Sequence, residues 1–281
     1  MYRELYRFGG MTFALESDAP LERSPVCEAF HVPDGVPDHT ICLRFSDALP
    51  TPPADALRRD DVFRWQVGAQ RHLLQWVSAP GDIPHFTYAV THGAHTDVIF
   101  ASAYRTGASV STALEAVGLF DVFAARGMLV LHSAYIVTSA GEAILFSGPS
   151  GVGKSTQAAL WERCAGARVV NGDRALVDVG KKTANGIFYA GTSGISENVT
   201  APVRAIVLLG QSSENRVFIP SPRAAFAGVL SQCAYYDWDV SSAEKMTACA
   251  ARLVSDVSVL RMDCLPDATA VEALRGKLGG I

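Results

Sequence analysis

The most specific chemistry in the chain lies at mid-sequence, in Gly148, Pro149, Ser150, Gly151, Val152, Gly153, Lys154 and Ser155, with Thr156 following. These residues fit G-x-x-x-x-G-K-[ST], the pattern of a phosphate-binding loop, also called the Walker A motif. Glycines let backbone N–H groups turn inward around phosphate oxygens, and a helix opening at the same point adds a partial positive charge. Lys154 is spaced to reach the terminal phosphates of ATP or another nucleoside triphosphate, and Ser155 to hold Mg²⁺ through its hydroxyl. The alternative is a glycine-rich turn with a purely structural purpose.

An acid follows at a useful distance. Residues 167–171 read as a strand that runs into Gly172, Asp173 and Arg174. A carboxylate at a strand end this soon after the loop can coordinate Mg²⁺ or deprotonate an attacking hydroxyl. Asn-Gly-Asp also suits a plain turn, in which Asp173 only caps the backbone. Residues 191–196, rich in Gly, Ser and Thr, form a loop that either presents hydroxyls to a substrate or simply connects two elements. His72, His85, His92 and His95 show no metal-ligand spacing, so packing or surface roles are the better reading.

The elements that must position these groups can be read from the pattern. Residues 143–146 form an apolar strand entering the loop, and residues 155–161 are the first turns of the helix leaving it. Residues 128–137 form another strand, and Ser139, Ala140, Gly141 and Glu142 make a turn, so the strand into the loop is the second arm of a hairpin. Further strands are expected at 185–190, 205–209 and 257–262. Helices are expected at 107–126, 222–236, 241–257 and from Pro266 to about 279–280. The first 105 residues read as a meander of short strands, with hairpins turning at Gly9-Gly10, Gly68-Ala69 and residues 91–94. The expected organisation is a β-rich region at 1–106 and a nucleotide-binding core at 107–281.

Composition limits the alternatives. The chain has 281 residues, of which 49% are apolar and 19% charged, with a net charge of −4. That is a globular composition without the basic field that nucleic acid or an anionic membrane would need. Six scattered cysteines form no C-x-x-C pair, which suits free thiols in a reducing compartment. The N-terminus lacks the apolar core of a signal peptide, and no apolar run reaches transmembrane length. A cytoplasmic protein is the expectation.

The ordered motifs resemble the HPr serine kinase/phosphorylase family, which shares its core with phosphoenolpyruvate carboxykinases. They are Leu131-His132-Ser133-Ala134, the hairpin, the run from Leu145 to Thr156, and Arg168-Val169-Val170-Asn171-Gly172-Asp173. The likeness covers roughly residues 120–281. It implies an α/β fold with a mixed sheet and a P-loop core, and transfer of the γ-phosphate of ATP to a serine hydroxyl of a protein or peptide. It places Lys154 on the β- and γ-phosphates, Ser155 and Asp173 on Mg²⁺, Asp173 as the catalytic acid or base, and His132 near the reacting centre. An apolar strand surrounds His132, so a core histidine is the competing reading. Gly172 stands where the family usually has the first acid of an Asp-Asp pair. Arg174, Arg204 and Arg216 are candidates to grip phosphate. The resemblance also admits a homo-oligomer. A nucleotide-binding sensor or scaffold without turnover, and a small-metabolite kinase, are the alternative functions.

Overall fold

The computed structural model describes residues 1–78 and 84–279, with side chains described outside 76–86. The chain forms two compact units, Met1–Leu119 and Phe120–Ile281. Together they make a mixed α/β protein.

The first unit is built on one nine-stranded sheet: β1 (Tyr2–Phe8), β2 (Met11–Ser17), β3 (His31–Val32), β4 (His39–Phe45), β5 (Leu57–Arg59), β6 (Val62–Val67), β7 (Gln70–Ser78), β8 (Pro84–His92) and β9 (His95–Phe100). Its order is β3-β1-β2-β4-β9-β8-β7-β6-β5. A single-turn helix, α1 (Pro25–Glu28), stands between β2 and β3, capped by the Ser24 side chain. The three expected hairpins are present. Gly9 and Gly10 turn the first with φ of 59° and 73°. A two-residue hairpin turn requires such positive values, and glycine accepts them at no steric cost. The expectation of a simple meander needs correction, because β4 pairs in parallel with both β2 and β9. The hairpins β5–β6 and β7–β8 are interposed between β4 and β9, so the chain leaves the sheet centre and returns to it. The helix expected over 107–126 is two short helices, α2 (Val110–Glu115) and α3 (Leu119–Ala124), parted at Gly118 with φ of 63°.

The second unit carries β10 (Met128–Val137), β11 (Ala143–Ser147), α4 (Lys154–Ala165), β12 (Arg168–Asn171), β13 (Arg174–Asp178), β14 (Thr183–Asn185), β15 (Thr200–Gln211), β16 (Arg216–Phe218), α5 (Pro222–Leu230), α6 (Val240–Asp256), β17 (Val259–Cys264) and α7 (Ala268–Leu278). β11 pairs antiparallel with β10, as the hairpin predicts, and also in parallel with β15. The ladder β11-β10-β13-β14-β15 therefore closes on itself, while β17 and β16 extend it beyond β15. Alternate residues of β11 serve two cores, as they must in a strand covered on both faces. Ala143 and Leu145 pack with Leu131, Ile206 and Val229, whereas Ile144 and Phe146 pack with Trp161, Met262 and Leu274 on the α4–α7 side. The helix expected over 222–236 ends sooner, at Leu230. α6 begins at Val240, where Asp239 caps it by accepting from the amides of Ser241 and Ser242. α7 ends at Gly279, and Gly280 lies outside the described residues.

The strand expected at 185–190 stops at Asn185. Beyond it, the carbonyls of Ile187 and Tyr189 are taken by a side chain, Asn171, rather than by a neighbouring strand. All six cysteines are free thiols, with Cys27 and Cys264 buried and Cys164 exposed. Among the described residues no helix is long and apolar enough to cross a membrane.

Candidate functional site

β11 delivers the chain into the 148–155 loop. The strand is wholly buried and held by neighbours on both edges, so its end is fixed in space. Ser147, its last residue, donates from Oγ to the carbonyl of His132 at 2.9 Å. In the loop, Gly151 and Gly153 have φ of 77° and 112°, and a Cβ on either would project into open space. Backbone conformation, not crowding, calls for glycine there, and the result is an open concave backbone. Lys154 opens α4. It is buried, and its Nζ donates to the carbonyls of Gly148 at 2.8 Å and Pro149 at 3.0 Å. Burial pushes its pKa below the usual lysine value, with the charge of Asp173 opposing that shift. α4 has no side-chain N-cap, so no capping side chain meets its first-turn N–H groups, an arrangement suited to an anion.

Asp173 is set by a different device. β12 and β13 both pair with β10; the register slips by one residue at Val170, between Tyr135 and Ile136 of β10, and Gly172 and Asp173 form the link where the two strands join, with the Asp173 carbonyl accepting from the amide of Ser133 at 2.9 Å. Asn171, fully buried, governs this link. Its Oδ1 accepts from the amides of Asp173 and Arg174, both at 2.9 Å. Its Nδ2 donates to the carbonyls of Ile187 and Tyr189 at 2.9 Å and to Ser196 Oγ at 3.1 Å. One amide side chain thus ties the 172–174 link to the 187–196 segment. The carboxylate that results lies 3.5 Å from His132 Nε2 and 3.1 Å from Arg174 Nε. The hydrogen bond from His132 is the main influence holding the Asp173 carboxyl below its ordinary pKa; burial opposes it and Arg174 assists. Arg174 also lies over the Tyr189 ring, 4.9 Å from its centroid, where a guanidinium meets the negative face of the ring.

Gly172 is closed to larger residues by a neighbour. A Cβ there would lie 2.2 Å from Ser193 Oγ and 2.6 Å from Ser193 Cβ. Ser193 is itself tied into a turn, donating to the carbonyl of Ala190 at 2.7 Å and accepting from the amide of Ile195 at 3.2 Å. Ser193 occupies the space that a side chain at 172 would need.

These pieces enclose a cleft of about 290 Å³. Its walls bring together His132, Asp173, Ser150, Gly151, Gly153, Lys154, Ser155 and Thr156, along with Gly172, Thr192 and Ser193. Gly148, Pro149 and Val152 are not on that wall. Gly148 and Pro149 instead border a more apolar cavity of about 470 Å³ beside Leu208, Phe218 and Arg261. Of the three arginines considered from sequence, Arg174 touches Asp173. Arg204 sits beside the start of β11, away from the loop, bonded to the carbonyl of Leu278 and paired with Glu142. Arg216 faces Asp263 across β16 and β17. The 191–196 loop expected to present hydroxyls does reach the cleft through Thr192 and Ser193. Sequence reasoning missed Asn171 and Gln211, whose Nε2 donates to the carbonyl of Gly151 at 3.1 Å. Gln211 and the Nδ2 of Asn171 act on backbone distant in sequence, so local spacing carried no signal for those contacts. Among the histidines, His72 bonds the Tyr88 hydroxyl at 2.6 Å and stacks on Trp65, a packing role; the side chain of His85 lies outside the described residues.

The chain matches no family model and no curated protein. Among solved structures it is similar to the Hpr(Ser) kinase/phosphatase from Coxiella burnetii, at 15% identity, a TM-score of 0.25, and coverage of 54% of this chain and 93% of that one. That is a weak likeness, and the functional reading that follows rests on the cleft itself.

Proposed function

We propose that the second unit has a P-loop core that binds a nucleoside triphosphate such as ATP with Mg²⁺ and transfers its terminal phosphoryl group to a hydroxyl, as HPr serine kinases do, with a serine of a protein or peptide as acceptor. The observation that carries this reading is the shared cleft: an open glycine cradle at an uncapped helix start, a buried lysine, a serine hydroxyl and a carboxylate face one space. The donor set fits both groups. The backbone at Gly151 and Gly153 leaves room that any Cβ would fill. The oxygens of Ser155 and Asp173 are of the hard kind that Mg²⁺ prefers. When bound, Mg²⁺ and nucleotide supply the transferable phosphoryl group and the countercharge its transfer needs. Lys154 turns its ammonium from the loop carbonyls toward phosphate oxygens, the loop amides donate to them, and Asp173 accepts the proton of the acceptor hydroxyl. His132, by donating to Asp173, keeps that carboxylate ionised and aimed.

The test is Lys154→Ala with a fluorescent ATP analogue and Mg²⁺. Loss of the ammonium should weaken binding by about 3 kcal/mol, roughly a hundredfold in Kd, and abolish ATP-dependent labelling of serine peptides. Unchanged binding sinks the proposal. A second reading, a nucleotide sensor without turnover, is favoured by one observation: Ser193 fills the place of a side chain at Gly172, leaving Asp173 as the acid beside the loop. Asp173→Asn separates the two. In a kinase it removes transfer and spares binding; in a sensor the unaltered chain transfers nothing to any serine peptide.

A further inference from the structure

We propose that Cys42, His95 and Asp97, with Glu16 completing the set, form a binding site for a divalent metal of the zinc class on the partly exposed face of the first unit's sheet. The site follows from strand register. β2, β4 and β9 run parallel to one another, with Glu16 opposite Cys42 and Cys42 opposite Asp97. Residues directly opposite in neighbouring strands project from the same face, with Cβ atoms about 5 Å apart. His95 lies two residues before Asp97 and shares that face, because side chains alternate along a strand. Four potential ligands from three strands therefore converge, although they lie at 16, 42, 95 and 97 in sequence.

The distances suit a metal. One ligand atom each from Cys42, His95 and Asp97 lie within 4.8 Å of one another. His95 Nε2 is 3.5 Å from Asp97 Oδ1, and Cys42 Sγ is 3.5 Å from Glu16 Oε2. A tetrahedral ion with bonds of about 2.0–2.3 Å needs ligand atoms roughly 3.3–3.8 Å apart, so rotamer adjustments of about an ångström complete the shell. A sulfur, an imidazole nitrogen and carboxylate oxygens together select zinc or cobalt over Mg²⁺ or Ca²⁺. The charge is also managed. Arg3 Nε lies 3.2 Å from Glu16 Oε1, and Arg44, on the same strand as Cys42, offers a second cation nearby. A bound ion would staple β2, β4 and β9 together, the strands that join the first hairpin to the rest of the sheet.

The test uses the full chain freed of metal and titrated with Co²⁺. One equivalent should produce a thiolate-to-cobalt charge-transfer band, which Cys42→Ser and His95→Gln each remove while Cys233→Ser keeps it. Affinity in Asp97→Asn should fall more than about tenfold, since even partners outside the ligand shell are worth roughly 10–100-fold. Absence of the band, or its survival in Cys42→Ser, overturns the site and leaves an ordinary surface cluster. The unsubstituted protein gives an independent readout that no misfolded variant can confuse. Zn²⁺ should slow alkylation of Cys42 relative to Cys164, as read by mass spectrometry, and equal alkylation of Cys42 with and without Zn²⁺ overturns the proposal.

Discussion

The two units reach order by different means. In the first, two-residue turns join β1 to β2, β6 to β7 and β8 to β9, and backbone ladders do most of the organising. In the second, much of the cleft wall lies between the strands, and backbone bonds there, such as those of Ser133 to Asp173 and Gly172 to Ile195, are joined by side chains bonded to backbone: Asn171 to the 173–174 amides and the 187–189 carbonyls, Ser147 to His132, Gln211 and Lys154 to the 148–151 backbone. A ladder distributes its stability over many equivalent bonds. A single buried amide concentrates it, so the second unit should be the more sensitive to one substitution.

The strongest way to break that contrast is Asn171→Leu. It removes the acceptor of two backbone amides and the donor to the Tyr189 carbonyl at once, while the Ile187 carbonyl keeps the Ser196 hydroxyl. That should cost about 3 kcal/mol or more and raise hydrogen exchange across residues 128–178. A loss below about 1 kcal/mol by denaturant unfolding, the worth of a single ordinary hydrogen bond, would mean that the link between β12 and β13 is held by something else. Gly172→Asp comes next. Its side chain must displace Ser193. The overpacking should cost about 1–3 kcal/mol and appear as faster exchange at 190–195. Gly68, in a first-unit turn, has φ of 59° and nothing within 4 Å of an added Cβ. Gly68→Ala should therefore cost only about 1 kcal/mol, all of it backbone strain. If Gly68→Ala proves as damaging as Asn171→Leu, the comparison fails.

The smallest effect concerns pH. The folded-state pKa of Asp173 is depressed, so its contribution to stability is present above the ordinary carboxylate pKa and is lost as pH falls through the folded value. His132→Gln removes the leading cause of that depression. Acid unfolding of the second unit should then begin at a higher pH, and the acid limb of any transfer activity should move the same way. An acid limb at unchanged pH would show that Arg174 alone sets the carboxylate.

Much of this architecture was legible in the sequence where the signal was local. Paired glycines, alternating β-branched residues and the strand–loop–helix run around Gly148–Ser155 all encode contacts between near neighbours. The hairpin β10–β11 was readable for the same reason. What escaped was non-local. The parallel pairings of β4 leave no trace in spacing, since Cys42 finds its partners at Glu16, far upstream, and Asp97, farther still downstream. Asn171 read as the end of a strand, which it is, but its donors reach the carbonyls of Ile187 and Tyr189, well outside any local window. Residues 187–190 carry strand-like types, yet that side chain claims two of their carbonyls and no strand forms.

Gly172 and Ser193 have a last consequence, for the order in which mutations can be accepted. A second acid cannot simply be added beside Asp173, because the space is taken. Ser193→Gly alone should cost only the two exposed hydrogen bonds of its own turn, and Gly172→Asp alone should cost more, while the pair should cost less than the sum of the two. The route to a two-acid site in this chain therefore passes through position 193 first, and a lineage that began at 172 would have to cross a valley of lost stability.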